Sequence, residues 1–367
     1  MFLFDAHLDL SMNAILWNRD LSESLTDLRE RESGLNDLPG RGRATVSLPE
    51  MRKAEIGICI ATQIGHSVSK ESTVPGWNSP EIAWAQTQGQ LAWYRAMEER
   101  GLMCQITNLQ DLNTQVDSFN SEYENLPLGY ILSLEGADSM LNLSYLERAF
   151  DYGLRALGPA HYGPGRYAPG TGAEGGLEPA GRELLKEMQQ LGIILDVTHL
   201  TDEGFWEALD LYDGPLWASH SNCRSLVLDQ RQLSDEQITA LVDRDAVIGA
   251  VFDAWMLVPN WVRGKTTPES SGLMLEAIAD HIDHICQIAG SAKHCGIGSD
   301  LDGGYGNEQT PQDLKTIADL QSLTGIFVRR GYKEADIEGI MNGNWLRDCC
   351  LVVFLFHCWW LRDFDFA

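Results

Sequence analysis

Ten residues scattered along this chain have side chains that can bind metal ions, move protons or grip an anion. "DAHLDL" places Asp5, His7 and Asp9 at alternate positions near the start. Glu135 follows in "SLEGAD", His161 in "LGPAH", His199 in "DVTHL" and His220 in "ASHSN". Arg231 lies in "LDQRQLSDE", and "GSDLDG" carries Asp300 and Asp302. Unpaired buried charge is costly, so carboxylates and imidazoles on apolar strands need a partner or a cation. Imidazole and carboxylate ligands suit zinc, and also manganese, iron, cobalt or nickel. This set is large enough for two divalent ions, and a carboxylate on a strand between the two ligand groups, Glu135, could bridge them. Water between two such ions loses a proton near neutral pH and becomes a strong nucleophile. Attack on an amide then needs a proton shuttle to the leaving amine, and Asp300 is the candidate.

These residues are far apart in sequence, so a fold must bring them together. Eight apolar, strand-like runs begin at Leu3, Ile56, Leu128, Gly153, Gly192, Pro215, Ala246 and His294. Alternation on the first sends Asp5, His7 and Asp9 to one face. Amphipathic stretches lie between the runs. Ser79-Pro80 opens one that ends at Gly101, another ends at Gly192, and Ser234 opens a third. Alternating strands and helices imply parallel strands, and eight repeats predict a (β/α)8 barrel, a TIM barrel of the α/β class. A doubly wound open sheet is the alternative. His7, Asp9, Glu135, His161, His199, His220, Asp300 and Asp302 fall at the C-terminal ends of the runs, where a barrel builds its mouth. The charged segment from Arg19 to Glu50 and the Gly/Pro-rich stretch from Gly163 to Gly176 are expected to shape that mouth.

Composition excludes other classes. A net charge of −26 argues against nucleic acid and anionic membranes. Eight cysteines without a CxxC fit reduced thiols, hence a cytoplasmic protein. No signal peptide and no transmembrane segment are expected; the apolar tail 348–367 is too short to span a bilayer as a helix. Residues 1–347 are expected to form one hydrolase domain, with 348–367 as an atypical tail.

In this order, "DAHLDL", "SLEGAD", "DVTHL", "ASHSN" and "GIGSDLDG" resemble the membrane dipeptidase (renal dipeptidase) family of metallopeptidases, in the amidohydrolase superfamily. The resemblance runs to about "IMNGNWLR", near Arg347. It implies two zinc ions, His7 and Asp9 on one, His199 and His220 on the other, Glu135 bridging. It implies Asp300 as proton shuttle and His161 as the group that stabilises the tetrahedral intermediate or contacts substrate. Arg231 would bind the substrate's C-terminal carboxylate, a task suited to a planar guanidinium. The implied substrates are dipeptides, some with a C-terminal D-residue, and a homodimer is possible. The tail and the loop after His161 depart from the family pattern. Hydrolysis of another small amide or lactam is the second reading, and a degenerate barrel that only binds a ligand is the third. Outside the set, His281 and His284 in "HIDH" read as a helix-face feature, and His66 has no assigned role. Asp5 lies deeper and is expected to orient a ligand.

Overall fold

The computed structural model describes residues 1–70, 74–122 and 126–350. Its strands are β1 (Leu3–Leu8), β2 (Ile56–Ile64), β3 (Met103–Gln105), β4 (Leu128–Glu135), β5 (Leu154–Gly158), β6 (Ile194–Asp196), β7 (Leu216–Trp217), β8 (Ile248–Ala250) and β9 (Cys295–Ile297). Eight of them run parallel in the order β7-β6-β5-β4-β2-β1-β9-β8. A parallel bridge between Ala218 and Ile248 joins the two ends, and the Gly249 N–H donates to the Ala218 carbonyl at 2.8 Å. The sheet is therefore a nearly closed (β/α)8 barrel. The extra strand, β3, pairs with β4 from Met103 opposite Leu128. Three residues are too few to show a strand period, which is why the sequence did not reveal it.

The expected helix boundaries have local causes. Ser79 accepts from the Ile82 N–H before the helix Pro80–Glu99. Gly192 takes the left-handed conformation (φ 68°) that ends Pro179–Leu191 and turns the chain into β6. Ser234 and Gln237 form a reciprocal capping box on Asp235–Asp243. One face of successive barrel strands supplies Phe4 and Ala6, Ile58 and Ile60, Ile131, Ala156, Ile194 and Trp217 to a core that Trp345 completes. The Trp345 indole donates to the Ile297 carbonyl at 3.1 Å. No helix among the described residues is long and apolar enough to cross a membrane. The seven described cysteines are free, and the apolar tail from residue 351 lies outside the described residues.

Three expectations are corrected here. Simple alternation does not govern the first strand. The β1–β2 register shifts between Asp5 and Leu8, and Asp9 lies past the strand, at the start of the helix Leu10–Ile15. Asp5 is thereby separated from the mouth. Its carboxylate accepts from Ser299 Oγ at 2.5 Å and from the Ser299 N–H at 2.8 Å, tying β1 to the end of β9. It meets His7 at the backbone N–H (3.2 Å), so it fixes strand geometry rather than the imidazole. Burial pushes Asp5 up to about 6 despite these bonds. Ser299→Ala should cost about 1.5–3 kcal/mol in urea unfolding, the usual worth of a hydrogen bond to a charged group.

Asp302 is the second correction. It is fully buried away from the mouth, 3.2 Å from Arg19, and accepts from Thr45 Oγ1 at 2.6 Å and the Val46 N–H at 3.1 Å. Arg19 in turn holds Glu32 at 2.8 Å. This network fastens the Arg19–Glu50 segment to the chain after β9. The third concerns that segment and the 163–176 stretch. Among the described residues, neither contributes a side chain to the wall of the central cavity. The Gly/Pro-rich loop supports it from behind, through Thr171.

Candidate metal centre

The ends of β1, β4, β6, β7 and β9 meet at one cavity of about 360 Å³. Glu135, the last residue of β4, stands at its floor and is buried. Its two oxygens face different partners. Oε1 lies 3.1 Å from His199 Nε2, 3.5 Å from His220 Nε2 and 3.9 Å from His161 Nε2. Oε2 lies 3.6 Å from His7 Nε2. His7 Nε2 is also 3.8 Å from both Asp9 and Asp300 carboxylate oxygens. The sequence-predicted ligands, His161 and Asp300 therefore converge in three overlapping groups: His7 and His220 with Glu135, His161 and His199 with Glu135, and His7 with Asp9 and Asp300.

Whether cations belong here is decided by where the protons are. His199 Nδ1 lies 2.8 Å from Thr171 Oγ1, and His220 Nδ1 lies 2.9 Å from Ser219 Oγ. Burial holds both imidazoles well below their usual range, so they are neutral. With each Nδ1–H given to its hydroxyl, the two Nε2 lone pairs face each other 3.2 Å apart beside Glu135. Three acceptors then crowd one point with no proton to share. On the other side His7 Nε2 is buried without a hydrogen-bond partner among the described residues. A cation at each point resolves both conflicts, and the donor sets fit zinc or a similar divalent ion. The surrounding hydroxyls fix the ring orientation, as metal-ligating histidines require. Thr62 Oγ1 does the same for Asp9.

Two backbone features position these groups. His199 and Asp300 both have positive φ, 71° and 56°, past the ends of β6 and β9. Non-glycine residues there cost on the order of 1–3 kcal/mol each, a strain that concentrates at functional sites.

The charges around Asp300 matter for proton transfer. Burial pushes its carboxyl well above the usual range; His7 opposes this, while Asp9, Glu135 and Asp253 add to it. Burial alone would lower His7, but Glu135, Asp9 and Asp300 together push it up to about 10, so a cation bound among these carboxylates would displace a proton from His7. Burial lowers His161, whose ring packs 4.7 Å from that of His199.

Arg231 lines the same cavity and is buried. Its guanidinium donates to the His220 carbonyl at 2.7 Å and Ser221 Oγ at 3.2 Å, and among the described residues it has no carboxylate in ion-pair range. Asp229 instead accepts from the Arg231 backbone N–H at 2.9 Å, and Asp235 pairs with His284 at 2.8 Å. His281 accepts from the Cys223 N–H at 3.0 Å, so "HIDH" is a structural feature of its helix. His66 pairs with Asp138 at 2.9 Å, outside the cavity wall.

The cavity also contains Tyr162, Asp253, Trp255 and Arg263, which sequence reasoning did not single out. Asp253 follows β8 and obeys the same strand-end rule as the metal-site acids, so "AVFD" carried a usable signal. Tyr162 and Arg263 lie on loops whose sequence gives none.

The profile described as membrane dipeptidase (peptidase family M19) matches residues 1–350. Dipeptidase 3 of Rattus norvegicus is 26% identical over 274 residues, 71% of this chain and 53% of its own length. A Klebsiella pneumoniae protein from the pqqA 5′ region, itself uncharacterised, is 33% identical over 172 residues, 47% of this chain and 59% of its own. The chain thus spans about half the length of the curated relatives it matches. A metallopeptidase of Rhodobacter sphaeroides, solved with a phosphinate mimic of the dipeptide L-Ala-D-Ala, has the same fold. Its TM-score is 0.74 at 22% identity, over 96% of this chain and 99% of that one. By the profile that runs from its first residue through the end of its described structure, this chain belongs to the membrane dipeptidase family, M19.

Proposed function

We propose that residues 1–347 form a single hydrolase domain that cleaves the peptide bond of dipeptides with the help of two divalent ions, zinc first among them. One observation carries the reading. Overlapping groups of metal-ligating side chains around Glu135 and a buried guanidinium that has no carboxylate partner among the described residues open into the same cavity. His7 and Asp9 would hold one ion and His199 and His220 the other, with Glu135 between them. Bound divalent ions acidify water and polarise the scissile carbonyl.

The chain's own residues supply the rest. Arg231 grips the substrate's terminal carboxylate and so fixes how far the scissile bond lies from the centre. That spacing selects dipeptides over longer chains. Asp300 accepts a proton from the attacking water and passes it to the leaving amine. His161 reaches the cavity from the loop after β5 and faces the oxygen that gains charge as the carbonyl is attacked. The family resemblance and the name of the Rhodobacter ligand support including substrates with a C-terminal D-residue.

A screen of L–L and L–D dipeptides, with added zinc and with chelator, tests the proposal. We expect turnover that the chelator abolishes and zinc restores, with about two metal equivalents per chain. Metal-free protein that remains active would remove the centre from the chemistry. Hydrolysis of a lactam or another small amide, without any dipeptide, would transfer the same centre to the second reading.

A further inference from the structure

Arg263 stands on the cavity wall with no part in the reaction outlined above. Its side chain is 58% exposed, yet it is held in place from two sides. One Nη lies 3.1 Å from Asp253 Oδ2, and the guanidinium sits 5.7 Å from the Trp255 ring. Asp253 is buried and cannot follow the arginine outward. Its other oxygen accepts from Gln309 Nε2 at 2.7 Å, and its backbone starts the short turn Ala254–Met256. A fixed acid and an aromatic face thus orient Arg263 while engaging only one of its nitrogens; among the described residues its other N–H groups make no hydrogen bond.

The wall that bears Arg263 is joined to the one that bears Arg231. Gln232, next to Arg231, donates to the Met256 carbonyl at 2.7 Å. Tyr162 lies near both cations: burial pushes its phenol up to about 12, and Arg231 and Arg263 each oppose that rise. Arg231, Asp253, Trp255 and Arg263 line one cavity, so a residue whose terminal carboxylate rests on Arg231 can direct its side chain toward the Asp253–Trp255–Arg263 wall.

We propose that Arg263 is a specificity-determining residue that favours dipeptides whose C-terminal residue has an acidic side chain, aspartate or glutamate. The proposal rests on the dipeptidase reading and on Arg231 as the carboxylate clamp. The second carboxylate meets the free edge of a guanidinium already oriented, so little side-chain ordering remains to oppose binding. A neutral amide of the same shape offers one oxygen instead of two and carries no charge, so it loses the bidentate fork and the ion-pair attraction.

The test compares the isosteric pair Ala-Glu and Ala-Gln. Wild-type protein should favour Ala-Glu about 5–10-fold in kcat/KM, chiefly through KM, as expected of a partly exposed charge pair. Arg263→Met should bring the ratio close to one, and Arg263→Lys should retain part of the preference, which also guards against a misfolded Met variant. A ratio that Arg263→Met leaves unchanged, or a wild type without preference, would overturn the proposal. If neither dipeptide is hydrolysed, the dipeptidase reading fails. Calorimetric binding of the same two dipeptides then decides on Arg263, requiring the same preference and the same loss.

Discussion

Asp300→Asn should retain its metal and lose on the order of 10²–10⁴-fold in kcat, the usual contribution of a positioned acid–base group. The asparagine has the same shape and can still fill the space beside His7. It cannot take a proton from water or return one to the leaving amine. Elemental analysis separates the two roles, because loss of metal in the variant would make Asp300 a ligand first. Near-normal turnover would remove it from proton transfer altogether. The pH profile supplies a second reading. Burial raises the Asp300 carboxyl, with Asp9, Glu135 and Asp253 adding to the rise and His7 opposing it. A base with a raised pKa is protonated, and idle, as pH falls through that pKa. Wild-type activity should therefore decline on the acid side, and the limb due to Asp300 should be absent from the residual activity of the variant.

Arg231→Met should raise KM for dipeptides with a free C-terminus by roughly 10²-fold, with a smaller effect on kcat. Loss of one partner of a buried charge pair typically costs 2–5 kcal/mol, and each 1.4 kcal/mol is tenfold. C-terminally amidated analogues should bind the wild type poorly and be almost indifferent to the substitution. An equal loss on both substrates would mean that Arg231 supports the His220 backbone, to which it also donates, rather than reading the substrate. The arginine is suited to the clamp because burial has already removed its water. Its bonds to the His220 carbonyl and Ser221 orient it without neutralising it.

Different parts of the molecule were legible in the sequence to different degrees. The barrel could be read because each strand is an apolar run bounded by helix signals such as Ser79-Pro80 and Gly192. β3 could not, since Met-Cys-Gln has no period. His7, Asp9, Glu135, His199, His220 and Asp300 stood out together because polar residues at the ends of buried strands need a reason to be there. Asp302 satisfied the same rule and still went elsewhere. A positive φ of 62° at Asp302 is part of a turn that directs it to Arg19 and Thr45. Only Leu301 separates Asp300 from Asp302, and strand alternation does not apply beyond the strand.

Asp5 makes the same point at the other end of the barrel. The spacing of "DAHLDL" put three polar side chains on one face, but a register shift within β1 separates Asp5 from the two residues that reach the mouth. Sequence alone determined the alternation of strands and helices and the types of ligand available, because periodicity and residue chemistry are local properties. Only the tertiary structure decided which oxygen of Glu135 faces which imidazole, and that Arg231 has no carboxylate in ion-pair range among the described residues. It also decided that Arg263 joins the cavity from a loop. Each of these depends on how segments distant in the chain come within a few ångströms of one another, and local pattern has no record of that.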